Sequence, residues 1–157
     1  MTPRILVTYA SRNGSTTEIA QAVAVELKKA GKHVDILQMN EISDVSMYDA
    51  VVIGTPVYLG SVLGDVTKFI ARNRTGLGHK PVAAFVVGLS IVHSHAGTEE
   101  HMLQKLHKSL DPVRPVTMTV FAGKLDPSQL SFFWKTFVRI MDVPTGDFRN
   151  WATIAAW

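Results

Sequence analysis

A chain of 157 residues, 46% hydrophobic and 18% charged, has the size and balance of one globular domain, expected to run over residues 1–157. It contains no cysteine, which excludes disulfides, thiolate nucleophiles and cysteine-held iron–sulfur clusters, so redox work would fall to a bound organic cofactor. The net charge of +3 is mildly basic, but Lys and Arg do not gather with aromatics as on a nucleic-acid surface. No stretch nears the roughly 20 apolar residues of a membrane span, and Met1-Thr2-Pro3-Arg4 runs straight into a strand without a signal peptide, so a cytoplasmic setting is expected.

Ile5-Leu6-Val7 reads as a strand buried on both faces. Ser11-Arg12-Asn13-Gly14-Ser15-Thr16 follows as a tight polar turn, and Ile19, Val23, Leu27 and Ala30 then recur at helical spacing until Gly31 stops them. The first N–H groups of that helix lack intrahelical partners and carry the positive end of its dipole, so a phosphate suits the turn, and Arg12 adds a full charge. Ser15-x-x-Glu18 reads equally well as a capping box that needs no ligand. The turn is neither Gly-x-Gly-x-x-Gly nor Gly-Lys-Ser/Thr, which argues against a dinucleotide or ATP and for a monophosphate.

Val34–Leu37 makes a second strand, with Asp35 marking an exposed face, and Tyr48–Gly54 a third, fully buried one. Thr55-Pro56-Val57-Tyr58-Leu59-Gly60-Ser61 is read as the next turn, with a helix marked by Val62, Val66, Phe69 and Ile70. Pro81–Gly88 is the fourth strand; a loop with Ser90, His93 and His95 leads to a helix carrying Met102, Leu103, Leu106 and Leu110. Pro115–Gly123 is the fifth strand. Strands alternating with amphipathic helices define an α/β fold, a doubly wound five-stranded parallel sheet of order 2-1-3-4-5 with helices on both faces. In that order ligands bind where the first and third strands diverge, which gathers the loops Ala10–Thr16, Thr55–Ser61 and Gly88–Gly97 at one edge.

Over nearly its whole length the chain resembles the flavodoxin family, whose Ser/Thr-x-x-Gly-x-Thr turn appears here as Ser11–Thr16. The resemblance implies an FMN cofactor. Ser11, Arg12, Asn13, Gly14, Ser15 and Thr16 would hold its phosphate, and Thr55, Pro56, Val57, Tyr58, Leu59 and Gly60 would line the ring, with Tyr58 as the stacking aromatic. Gly88, Leu89 and Ser90 would begin the loop on the ring's other side. Within the family the chain is most similar to the flavodoxin-like protoporphyrinogen IX dehydrogenases, which pass electrons to menaquinone in heme biosynthesis. Three features carry that likeness: Arg12 inside the phosphate turn, Val120–Leu125 leading into an aromatic helix, and the ending Gly146-Asp147-Phe148-Arg149-Asn150-Trp151. A last helix after this motif is expected to cover one face of the sheet.

In the aromatic segment Leu130–Met141, Leu130, Phe133, Trp134, Phe137, Val138 and Met141 form one helical stripe, the ordinary mark of a core helix packed on the sheet. Phe132 and Ile140 lie off it, with Lys135 and Arg139 on another face, which suits contact with a membrane, a quinone or a flat apolar substrate. His93, His95, His101 and His107 lack acidic or cysteine partners at ligand spacing, so no metal is expected, although His93 or His95 near the flavin would titrate in the right range for a proton donor. The catalytic residues are not assigned by sequence. Three functions follow: an FMN oxidoreductase that passes electrons from a small reduced substrate to a quinone; an electron-carrier flavodoxin between protein partners, which the basic charge argues against; and an NAD(P)H-dependent quinone reductase.

Overall fold

The computed structural model describes residues 2–10, 14–58, 61–89, 91–92, 95–126, 128, 131–140 and 145–157, with Tyr58, Trp134 and Phe137 described by backbone alone. Strands β1 (Arg4–Tyr9), β2 (His33–Gln38), β3 (Ala50–Tyr58), β5 (Val82–Gly88) and β6 (Thr117–Ala122) form a parallel sheet in the order β2-β1-β3-β5-β6. This is the expected 2-1-3-4-5 arrangement once the short β4 (Ser61–Val62) is counted, which pairs antiparallel with the end of β3. Helices α1 (Ser15–Lys29), α2 (Gly64–Leu77), α3 (Thr98–Leu110), α4 (Phe132–Ile140) and α5 (Trp151–Ala156) follow in turn, and β7 (Lys124–Leu125) pairs with β8 (Gly146–Asp147) in a separate two-stranded ribbon.

The alternation of side chains along each strand builds two cores. On one face Leu6, Val51, Ile53, Ala84 and Val86 meet Phe69, Leu77, Leu106 and Leu110 of α2 and α3. On the other, Val7, Val52, Phe85, Val87 and Phe121 meet Ile19, Ala20, Val23 and Ala24 of α1 and Ile154 of α5. There Phe85, Phe121 and Trp157 stand in a triangle, with ring centroids 5.6 to 5.9 Å apart and Trp157 edge-on to both. The expected cover of this face by the last helix is present: Asn150 caps α5, its side chain accepting from the Thr153 N–H at 3.1 Å.

Three expectations change. First, β3 does not end at Gly54 but runs through Thr55, Pro56 and Val57 to Tyr58. A proline is tolerated there for a reason visible in the ladder. The Gly54 carbonyl accepts from the Ala10 N–H on the β1 side, while the Val51 N–H donates to Pro81 on the β5 side. Residues alternate, so the N–H missing from Pro56 would have pointed toward β1, whose pairing with β3 stops at Gly54. Second, the Ser15-x-x-Glu18 capping box does not form: α1 starts at Ser15 itself, and Gly14 occupies the cap at φ 82°. Third, the stripe of α4 is open at Phe133 and half-buried at Val138, the stripe side chains that the structure describes, while Phe132 and Ile140 off it are exposed as expected. Phe132, Phe133 and Ile140 are 86%, 71% and 74% exposed. The cause is positional: both faces of the sheet are already covered by the other four helices, and α4 leaves from the ribbon beyond the last strand.

Candidate anion and ring site at the carboxyl edge of the sheet

Because the five strands are parallel, their carboxyl ends come to one edge. Tyr9 pairs with Gly54, Pro56 with Val87, and Gly88 with Ala122. Ala10, Thr55–Tyr58 and Gly88–Leu89 therefore converge there, as the strand order requires.

At the first of these ends Gly14 adopts the left-handed conformation that a side chain disfavours, and α1 starts immediately after it. The first helical bond runs from the Glu18 N–H to the Gly14 carbonyl at 3.1 Å, so the N–H groups of Ser15, Thr16 and Thr17 precede the helical ladder. Ser15 is half-buried and Thr16 fully buried. Two hydroxyls and the positive end of a helix fit a phosphate monoester, which is held by short hydrogen bonds rather than by a metal. Ser11, Arg12 and Asn13 lie outside the described residues.

In the second loop Thr55 is fully buried, its hydroxyl donating to the Pro56 carbonyl at 3.1 Å, and Pro56 is buried as well. Both are strand residues, so the part of the segment open to a ring begins at half-buried Val57. Leu59, Gly60 and the Tyr58 side chain lie outside the described residues. Gly88 ends β5 in a buried position and Leu89 is half-buried, its carbonyl accepting from the Val92 N–H at 3.0 Å. Ser90 and His93 are outside the described residues, and His95 is exposed. Among the described residues no three His, Cys, Asp or Glu side chains come together as a metal site.

Two groups at this edge escaped the sequence reading as parts of a site. The first is Gly123, just past β6. A Cβ on it would lie 2.9 Å from Val87 Cγ1, so the glycine makes room for that side chain, and 3.6 Å from Ser15 Oγ, which places this strand end alongside the head of α1. The second is Arg149. The Phe148 N–H donates to the Gly123 carbonyl at 3.1 Å, which seats the segment after β8 beside the head of α1. The Arg149 side chain, 5% exposed, donates from Nε and Nη2 to the two oxygens of Asp147 at 2.8 and 2.6 Å and from Nη1 to Glu18 Oε2. Its guanidinium stacks 4.6 Å from the centre of the Trp151 ring. The fork hydrogen bonds hold the Asp147 carboxyl down at about 2, and the two carboxylates push the Arg149 guanidinium pKa further up. The available signal was Asp147-x-Arg149-x-Trp151, a salt-bridging and stacking run, together with a lone acid, Glu18, beside an anion-binding turn.

The sequence profile described as Flavodoxin domain matches residues 6–150, and the chain belongs to this family. The protoporphyrinogen IX dehydrogenase [quinone] of Escherichia coli K12 is 32% identical over 88 residues, 55% of this chain and 49% of that protein. An NAD(P)H dehydrogenase (quinone) of Paraburkholderia phymatum is 28% identical over 123 residues, 61% of this chain and 60% of the other. The chain thus spans about half to three-fifths of the length of these relatives. Among solved structures, a flavoprotein in complex with FMN from Lactobacillus acidophilus superposes with a TM-score of 0.53 at 15% identity, covering 76% of this chain and 93% of the other, a likeness of fold.

Proposed function

We propose that this protein binds FMN at the carboxyl edge of its sheet and works as an oxidoreductase that passes electrons from a small reduced substrate to a quinone, in the manner of a protoporphyrinogen IX dehydrogenase. The observation that carries the reading is the head of α1: a left-handed glycine, the helix-opening Ser15, Thr16 and Thr17 and their three leading N–H groups, at the point where β1 and β3 diverge. In this reading Ser11, Asn13, Gly14, Ser15 and Thr16 hold the phosphate, with Arg12 adding charge. Val57–Gly60 and Gly88–Ser90 flank the ring, and Tyr58 stacks on it. The buried Thr55 and Pro56 support that wall from within the strand rather than touching the ring. FMN, when bound, supplies the electron-carrying ring; the protein supplies its placement and the exclusion of water.

The open face of α4 belongs to the same reading. Phe132, Phe133 and Ile140 beside Lys135 and Arg139, on a helix without an acidic residue, suit peripheral contact with an anionic bilayer, where quinones reside. No described helix is long and apolar enough to cross a membrane. The Paraburkholderia relative favours a second reading, in which the reductant is NAD(P)H and the acceptor again a quinone. An electron carrier between redox proteins is the third.

The deciding experiment is an anaerobic assay of the FMN-loaded protein with protoporphyrinogen IX or NADPH as donor and a menaquinone analogue as acceptor. Quinone-dependent porphyrin fluorescence well above autoxidation is the expected result. Quinone reduction with NADPH alone would move the assignment to the reductase, and turnover with neither donor, but a normal flavin spectrum, would move it to the carrier.

A further inference from the structure

Glu18 presents a difficulty for an anion site. It lies in the first turn of α1, next to the hydroxyls and N–H groups that suit a phosphate, and its side chain is 51% exposed. Acids in a first turn favour a bare helix, but one beside a bound phosphate repels it. The same turn receives the one Arg149 guanidinium, brought from the far end of the chain, buried, stacked on Trp151 and oriented by both oxygens of Asp147. Such a fixed fork is more than the glutamate needs for stability on the surface, where exposed ion pairs contribute little.

We propose that Arg149 is a positioning residue for the phosphate of the cofactor. It cancels the charge of Glu18 and draws that carboxylate toward the β8 segment, so that the head of α1 presents net positive potential to an incoming phosphomonoester. The inference rests on the reading that a flavin phosphate sits at this turn, and it assigns the preference for the phosphorylated over the unphosphorylated flavin to a residue of the chain's late segment. Asp147 accepts from Nε and Nη2 and leaves Nη1 for Glu18. With Glu18 and Asp147 both ionised and Arg149 present, the cluster carries one net negative charge; without the guanidinium it carries two, one of them at the head of α1.

Riboflavin, which has the ring without the phosphate, separates charge from structure. Dissociation constants for FMN and riboflavin are measured by flavin fluorescence in the full chain and in Arg149→Gln, Arg149→Lys, Glu18→Gln and the Glu18→Gln/Arg149→Gln double variant, with circular dichroism as a check of folding. Arg149→Gln is expected to weaken FMN about tenfold at low salt, the upper range of a charge at a helix end, and to leave riboflavin within about twofold. Adding Glu18→Gln is expected to recover most of that loss, and Arg149→Lys to retain most of the preference. Glu18→Gln alone, which leaves the fork to Asp147 intact, is expected to tighten FMN by about two- to threefold, so the idea remains testable even where Arg149→Gln fails to fold. Equal losses for both flavins, no rescue in the double variant, or weaker FMN binding by Glu18→Gln would overturn it. A parent protein that binds FMN and riboflavin equally would instead overturn the phosphate reading itself, and the inference with it. Loss of preference in Arg149→Gln with recovery in the double variant would leave the phosphate reading standing and support the inference.

Discussion

Two aromatic regions of this molecule have similar composition and opposite fates. Phe85 and Phe121 pack tilted against each other and Trp157 edge-on to both, with Phe85 fully buried and Phe121 nearly so. Phe132 and Phe133, on a helix of stronger amphipathic character than α1, lie largely in solvent. The difference lies in what each meets. A strand in the middle of a doubly wound sheet presents both faces to helices, whereas a helix that leaves beyond the edge strand finds both faces taken. Apolar periodicity reports that a residue has a partner face, and topology decides whether that partner is inside the fold.

The contrast can be broken first from its buried side. Phe85→Ala removes the ring at the centre of the triangle and is expected to cost about 4 kcal/mol of unfolding free energy, measured by urea denaturation. A cost below about 1 kcal/mol would show that the triangle packs loosely. Gly54→Ala attacks the same ring from below. A Cβ there would lie 2.2 Å from Phe85 Cζ, and because the ring is hemmed in it cannot move aside, so a loss of about 3 kcal/mol is expected. Wild-type stability in that variant would mean that Phe85 has room the structure does not show.

The open side should respond differently. Phe132→Ser/Phe133→Ser is expected to leave stability within about 0.5 kcal/mol, since neither side chain is buried, while lowering sedimentation with phosphatidylglycerol vesicles. Lys135→Gln/Arg139→Gln should lower it further at low salt and little at high salt. Unchanged vesicle binding in both pairs would sink the membrane reading of α4. The smallest effect concerns Asp147. Its folded pKa of about 2 lies below the ordinary 3.8, so the stability it adds is present above pH 4 and is lost as pH falls toward 2. Fluorescence of Trp151, stacked on Arg149, should follow that loss in a titration, and Asp147→Asn should remove the step.

The sheet order, the two-sided burial of the strands and the helix that follows β1 were legible because each follows from local pattern, β-branched runs and helical spacing. The length of β3 was not, because Thr55-Pro56 looks like a turn until one knows that β1 stops pairing at Gly54. Nor was the exposure of α4, since a stripe such as Phe133 and Val138 has the same spacing whether or not a sheet remains to receive it. Ser15-x-x-Glu18 misled in a more instructive way. The glutamate is committed, but to a guanidinium from the far end of the chain rather than to the helix cap. No local pattern reports a partner that distant.

That partnership also sets a timetable. Arg149 and Glu18 are 131 positions apart, so the first turn of α1 lacks its paired charge until the β8 segment has been synthesised and has docked on Gly123. The entropy of closing so long a loop grows only slowly with length and is no obstacle to the finished fold. On a nascent chain, however, the head of α1 would carry Glu18 without its guanidinium partner. In the proposed reading, a phosphate at the head of α1 therefore meets the full set of charges only after the β8 segment is in place.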